Sequence, residues 1–135
     1  MTQSVLDPVA LEPLTQHELA RKNLDFGKKL LASGDSRKAL KFLELSAEQE
    51  PSAEAFVLLA RIELEFPGLR PKALEHLKQA VAVAPRCTEA WLMLAEFWAA
   101  KHDQEKQRRC LEKILAYDPE NGEARCALND INLWD

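Results

Sequence analysis

The sequence predicts an all-α solenoid of three helical hairpins closed by a final helix, and three observations predict it. Pro51, Pro85 and Pro119 recur at intervals of 34 residues, and a fixed period of this length marks stacked supersecondary units. Leu43, Leu77 and Leu111 stand eight residues before those prolines, while Ala39-Leu40 and Ala73-Leu74 stand twelve and eleven before the first two. After each proline a polar residue opens an apolar helical run: Ser52-Ala53-Glu54-Ala55-Phe56, Thr88-Glu89-Ala90-Trp91 and Asn121-Gly122-Glu123-Ala124.

The elements follow in order. Residues 1–14 contain two prolines and no helical period, so a flexible tail is expected there. Thr15 with Glu18 three residues later forms a capping-box pattern just after the breaker Pro13, which starts a helix over 16–33. Ser33-Gly34-Asp35 breaks it, and a partner helix follows over 36–49. Ser52 then caps a helix over 53–66, the Phe66-Pro67-Gly68 break leads to 71–84, and Thr88 opens 88–101. Lys101-His102-Asp103 separates that helix from 104–117, and Asn121 caps the last, over 122–133. The early Glu54, Glu89 and Glu123 suit the positive ends of their helix dipoles.

The 135 residues fit one cooperative domain, and 47% hydrophobic with 30% charged residues is the balance of a folded, water-soluble chain. The net charge of −4, with both signs mixed along the length, excludes a generalised nucleic-acid footprint. The densest basic cluster, Lys106, Arg108, Arg109 and Lys113, lies among Asp103, Glu105 and Glu112 at helical spacing and reads as an ion-paired helix face. No apolar run approaches the length of about 18 residues that a spanning helix requires, and residues 1–14 show no basic leader, so no membrane insertion and a cytoplasmic location are expected. Three widely spaced cysteines, Cys87, Cys110 and Cys126, suit buried or half-buried free thiols and not a disulfide framework or zinc site.

Nothing in the pattern points to catalysis. His17, His76 and His102 fall on different helices or turns without a Cys, Ser or carboxylate at functional spacing, and no Gly-rich phosphate loop is present. No enzyme activity, cofactor or metal is expected.

The residues at the repeat positions resemble those of the tetratricopeptide repeat family over residues 20–135. Trp91, Leu94, Ala95, Trp98, Leu111, Ile114 and Pro119 follow its pattern in the third unit. Phe26, Gly27, Leu30, Ala39, Leu43, Ser46 and Pro51 follow it in the first, and Phe56, Leu59 and Ala60 in the second. Phe26, Leu59 and Leu94 are equivalent, as are Gly27, Ala60 and Ala95, the small residues that let paired helices approach. The resemblance implies a right-handed superhelical solenoid with repeats at about 20–53, 54–87 and 88–121, a capping helix at 122–133, and a single domain over 15–135. The sequence departs from the pattern at Asn23, at Glu63 and Gln107, where a large and a small residue are usual, and in the turn 66–71, which is one residue longer.

The family's first helices line a concave binding surface. The resemblance places Arg21, Leu24, Lys28 and Leu31 there from the first repeat, Val57, Arg61 and Leu64 from the second, and Glu89, Leu92 and Glu96 from the third. An apolar centre line with charged flanks fits another protein's amphipathic helix or linear peptide, its acidic groups toward Arg21 and Lys28 and its basic groups toward Glu89 and Glu96. The tail residues Val5, Leu6, Val9, Leu11 and Leu14 are an alternative occupant of the same groove. The family's two-carboxylate clamp for chaperone C-termini needs basic and amide side chains where this chain has Leu24, Lys28, Leu58, Glu89 and Met93, which disfavours that use. RNA reading by stacking is disfavoured because Trp91, Trp98, Phe26 and Phe56 fall on packing positions.

The leading expectation is a protein-binding adaptor or scaffold. The alternatives are a small secretion-type chaperone shielding an apolar client segment, or an oligomerisation or regulatory domain of a larger protein. Leu133 and Trp134 at the last turn make a homo-oligomer through the C-terminal cap a further expectation.

Overall fold

A computed structural model of the chain describes residues 13–133. Among these residues are seven helices: α1 (Gln16–Ala32), α2 (Ser36–Gln49), α3 (Ala53–Glu63), α4 (Arg70–Val83), α5 (Thr88–Ala100), α6 (Gln104–Tyr117) and α7 (Gly122–Leu133). The expected tail lies almost wholly outside the described residues, as does Trp134. The chain divides into two compact units at Glu50/Pro51. The first holds the α1–α2 hairpin, and the second holds α3 to α7.

Five of the seven helices begin where a side chain relieves their exposed N–H groups, α4 and α5 being the exceptions. Thr15 Oγ1 accepts from the Glu18 N–H at 3.1 Å and the Glu18 carboxylate accepts from the Thr15 N–H at 2.9 Å, completing the capping box. Asp35, Ser52, Asp103 and Asn121 cap α2, α3, α6 and α7 in the same manner. Thr88 departs from expectation. It sits inside α5, whose cap residue Cys87 makes no side-chain cap bond, and its hydroxyl instead meets the Tyr117 hydroxyl at 2.7 Å. That bond ties the start of α5 to the end of α6.

The hairpin turns explain the lengths of the helices. After α1 the Gly34 N–H donates to Leu31 O at 3.0 Å and the Asp35 N–H to Leu30 O at 2.9 Å, the paired bonds of a Schellman turn, with Gly34 at φ 89°. Between α5 and α6 the same two bonds recur, His102 to Ala99 O and Asp103 to Trp98 O, so His102 takes the left-handed place at φ 59° without being glycine. The middle turn is different. α3 stops at Glu63, three residues earlier than expected, and Pro67–Leu69 forms a 3₁₀ turn leading directly into α4. The extra residue is absorbed there, where Pro67 has no N–H to satisfy.

In the first unit Ala20, Gly27, Ala39, Leu43 and Ser46 are buried. A Cβ on Gly27 falls 2.8 Å from Leu43 Cδ2, so any larger residue here displaces the buried Leu43 side chain. Ser46 is buried, at 2% exposure, and its hydroxyl donates to Ala20 O at 2.8 Å. Asn23, the departure from the repeat pattern, donates to Gln49 Oε1 at 2.7 Å, a polar link in place of an apolar one. Phe26 differs from its assigned packing role: it is 48% exposed, with its ring edge-on to Phe42 at 4.6 Å.

The second unit has the larger core. Ala55, Ala60, Ala73, Ala80 and Ala90 have no accessible surface, and Leu59, Ile62, Leu77, Leu111 and Ile114 fill the space between them. Glu63 lies in this core at 1% exposure, and its carboxylate meets His76 Nδ1 of α4 at 2.6 Å while the His76 ring stacks on Phe56. A buried carboxylate is tolerated at a position for a large apolar residue because a partner is built in beside it.

Two outcomes follow. Gly27→Leu forces the buried Leu43 aside, and such overpacking costs about 1–3 kcal/mol, more than the roughly 1 kcal/mol of helix propensity gained on replacing Gly. Its thermal midpoint therefore falls below that of the parent. His76→Ala strands the Glu63 carboxylate, at a cost of about 1–3 kcal/mol, and the double variant Glu63→Leu/His76→Ala recovers part of that loss in urea unfolding.

Candidate protein-binding surface

The residues assigned to the binding surface divide between the two units. On α1, Arg21, Leu24, Lys28 and Leu31 follow one another at three- and four-residue steps and form a stripe, with Arg21 and Lys28 exposed and both leucines half-buried. In the second unit α3 presents Arg61, exposed, and Leu64, half-buried at the helix end. α5 presents Glu89 and Glu96, exposed, with Leu92 half-buried between them. Val57 is corrected: at 3% exposure it is a core residue, because α3 is apolar around most of its circumference and buries more than one face.

Within the second unit the structure brings α3 and α5 together across this surface. The Arg61 guanidinium pairs with the Glu89 carboxylate, linking the two helices. Each side chain is about half exposed (53% and 54%), so the pair contributes roughly 0–1 kcal/mol to stability. Its larger effect is electrostatic. Arg61 neutralises Glu89, which leaves Glu96 as the acidic group of the predicted set on α5 for a partner's cation. Sequence spacing does not reveal a pair separated by 28 residues.

No family model and no curated protein matches the sequence. Solved structures do resemble it. It is similar to MamA, with a TM-score of 0.73 at 19% identity over 83% of this chain and 66% of that chain, so this chain spans just under two thirds of MamA's length. It is similar to the first TPR of Spaghetti (RPAP3) bound to the HSP90 peptide SRMEEVD, with a TM-score of 0.73 at 19% identity over 87% of this chain and 95% of that one. The Arabidopsis OM64 TPR domain matches with a TM-score of 0.73 at 15% identity, over 86% and 96%. The fold is that of a tetratricopeptide repeat domain.

As TPR hairpins, α1–α2, α3–α4 and α5–α6 each pair a first helix with a second, and α7 packs on α6. Pro51, Pro85 and Pro119 each lie two residues beyond a second helix. The Pro85 carbonyl accepts from Trp91 Nε1 at 2.8 Å, so the first tryptophan of the third TPR unit clasps the turn that precedes it. Trp98 lies half-buried under the Lys106 ammonium, 4.2 Å from its ring centroid, with Phe97 edge-on at 5.1 Å. Three of the four bases expected to form an ion-paired face on α6 do so, Arg108 and Arg109 meeting Glu105 and Lys106 reaching Asp103 at 3.9 Å, while no ion pair joins Lys113 to Glu112.

The remaining reactive side chains of the TPR domain have structural partners or distinct environments. His17 meets Glu50 at 2.7 Å and His76 meets Glu63, so two histidines do have carboxylate partners that the sequence hid behind separations of 33 and 13 residues. Among the described residues no group of three or more His, Cys, Asp and Glu side chains is placed to hold a metal, and no helix is long and apolar enough to cross a membrane. The three thiols are free, with Cys110 buried, Cys87 half-buried and Cys126 exposed, the last contrary to expectation. Burial pushes the Cys110 thiol from its ordinary 9.0 up to about 11.

At pH 8, Cys126 therefore reacts rapidly with a thiol reagent in the native protein while Cys110 reacts only as fast as the fold opens. Because the fold favours the neutral Cys110 thiol, this contribution to stability is complete below pH 9 and is lost as pH rises through about 11. Mass mapping of labelled cysteines over time checks the order.

Proposed function

We propose that this chain is a protein-interaction module, an adaptor or scaffold, which takes an amphipathic helix or linear peptide of a partner on the α3–α5 face of its second unit. The observation that carries this reading is that Leu64 and Leu92 stay half-buried on a face flanked by Arg61, Glu89 and Glu96. Apolar surface left wet costs roughly 25 cal/mol per Å², and a partner's apolar side chains remove that cost. The stripe on α1 offers a second strip of the same kind, with cations Arg21 and Lys28 in place of the acids. The ligand is accordingly a peptide with apolar residues at helical spacing and a cation opposite Glu96.

The likeness to a TPR bound to an HSP90 peptide supports a protein as ligand. It does not extend to that peptide's terminal carboxylates. Of the five places that a carboxylate clamp uses, Leu24, Leu58 and Met93 are half-buried and uncharged, and Glu89 carries the wrong sign and is already paired with Arg61.

The test is capture from extract with the parent and with Leu64→Asp/Glu96→Lys, whose melting is first matched to the parent. A peptide cut from the captured partner is then titrated against both. The module reading expects at least a tenfold weaker peptide affinity in the variant, about 1.4 kcal/mol. Equal affinity moves the site off this face. The partner itself distinguishes an adaptor from a chaperone that shields a secreted client.

A further inference from the structure

The first unit carries an apolar patch on the side of the hairpin where the Phe26 ring of α1 meets Phe42 of α2 edge-on at 4.6 Å. Phe26 is 48% exposed, Phe42 is half-buried, and Leu45, one turn along α2, is 43% exposed. On α2 the patch adjoins Lys38, Lys41, Leu45 and Glu48, all exposed. They follow one another at steps of three, four and three and form one stripe along the helix.

The charges around this patch balance in number, with Lys22, Lys29, Lys38 and Lys41 against Glu18, Asp25, Glu44 and Glu48, so they select neither an acidic nor a basic partner. Their order along the helices is informative. α2 holds Arg37, Lys38 and Lys41 in its first half and Glu44 and Glu48 in its second. Beyond the cap Asp35 it has no acid in its first turn and no base in its last, the reverse of what a helix dipole favours. α1 has the ordinary polarity, Glu18 in its first turn and Lys29 in its last. Since the two helices of a hairpin run antiparallel, the reversal on α2 gathers like charges, Lys29 and Lys38 at the turn end and Glu18 and Glu48 at the open end. His17 pairs with Glu50 at the open end, but Lys38, Lys41 and Glu48 take part in no ion pair among the described residues.

The hairpin face thus has a basic pole and an acidic pole with apolar side chains between them. A twofold contact joins a surface to itself, so that surface must be its own complement. This one is: a half-turn about an axis level with Leu43 lays the basic pole of one hairpin on the acidic pole of another and brings the two apolar patches together. We propose that two copies of this chain associate in that way, antiparallel along α2, with Phe26, Phe42 and Leu45 at the centre and Lys38 and Lys41 of each copy against Glu48 of the other. The contact uses α1 and α2 alone, so it does not depend on the α3–α5 reading, and it differs from an association through Leu133 at the end of α7. Helices of 17 and 14 residues offer a face about 20 Å on a side. That is smaller than the roughly 800 Å² per partner of a standard stable interface, so the dimer dissociates on dilution.

The experiment is sedimentation velocity of the full chain over a wide dilution series, on the parent and on two charge reversals, Lys38→Glu/Lys41→Glu and Glu48→Lys. Each reversal moves α2 toward the polarity its dipole favours, so the hairpin stays folded, which melting curves of both variants check. The expected result is a reversible dimer of the parent and association weakened about tenfold or more in each variant alone. Mixing the two variants restores opposite charges at both ends of the contact, and association then returns to within about threefold of the parent. A parent that is monomeric at every concentration overturns the proposal. A dimer that survives both reversals overturns it and places the interface elsewhere. Folded variants that stay monomeric when mixed also overturn it, because the antiparallel arrangement requires them to complement each other.

Discussion

Each hairpin depends on two helices coming close enough for backbone to meet side chain, and small residues at fixed places make that approach possible. Gly27 lies against Leu43, and Ala39, Ala60, Ala73, Ala80 and Ala95 are buried in the corresponding hairpins. At this separation the bulky residues interleave and leave little free volume, so Leu43, Leu59, Leu77, Leu111 and Ile114 are all at most 1% exposed. The regular turns follow from the same constraint. Helices packed this tightly are joined by short reversals, and the Schellman geometry that places Gly34 and His102 in the left-handed region supplies one.

Close packing makes polar intrusions expensive, and the chain answers each with a local partner. Ser46 bonds the carbonyl of Ala20, Glu63 bonds His76, and Thr88 bonds Tyr117. Each bond joins two different helices of one unit, so these groups fix register as well as satisfying themselves. Among the described residues no buried side-chain nitrogen or oxygen lacks a partner. Glu63 and Asn23, which look like flaws in the repeat pattern, are therefore cross-links between paired helices.

The proposed binding surface is what remains after this packing is complete. First helices turn one side to their own partner and carry leucines on another side that the hairpin does not need. Leu64 and Leu92 are left half-buried for that reason, and Arg61 and Glu89 span the two helices beside them. Val57 shows the limit of the rule, since α3 buries most of its circumference and no longer offers that side chain to solvent.

The sequence by itself determined the helices, their caps and their repeat, because capping, proline breaks and the spacing of small and large residues act over a few turns of chain. Thr15 with Glu18, Ser52 and Asn121 were legible for that reason. The stripe on α1 and the exposed members of α3 and α5 were likewise legible once the repeat register was known. Only the tertiary structure decided the exposure of Phe26 and the burial of Val57, since burial depends on which other helices surround a position. It alone also supplied the Glu63–His76, Thr88–Tyr117 and Arg61–Glu89 pairs, because residues 13 to 29 positions apart meet only after the helices have packed and no local propensity records the meeting.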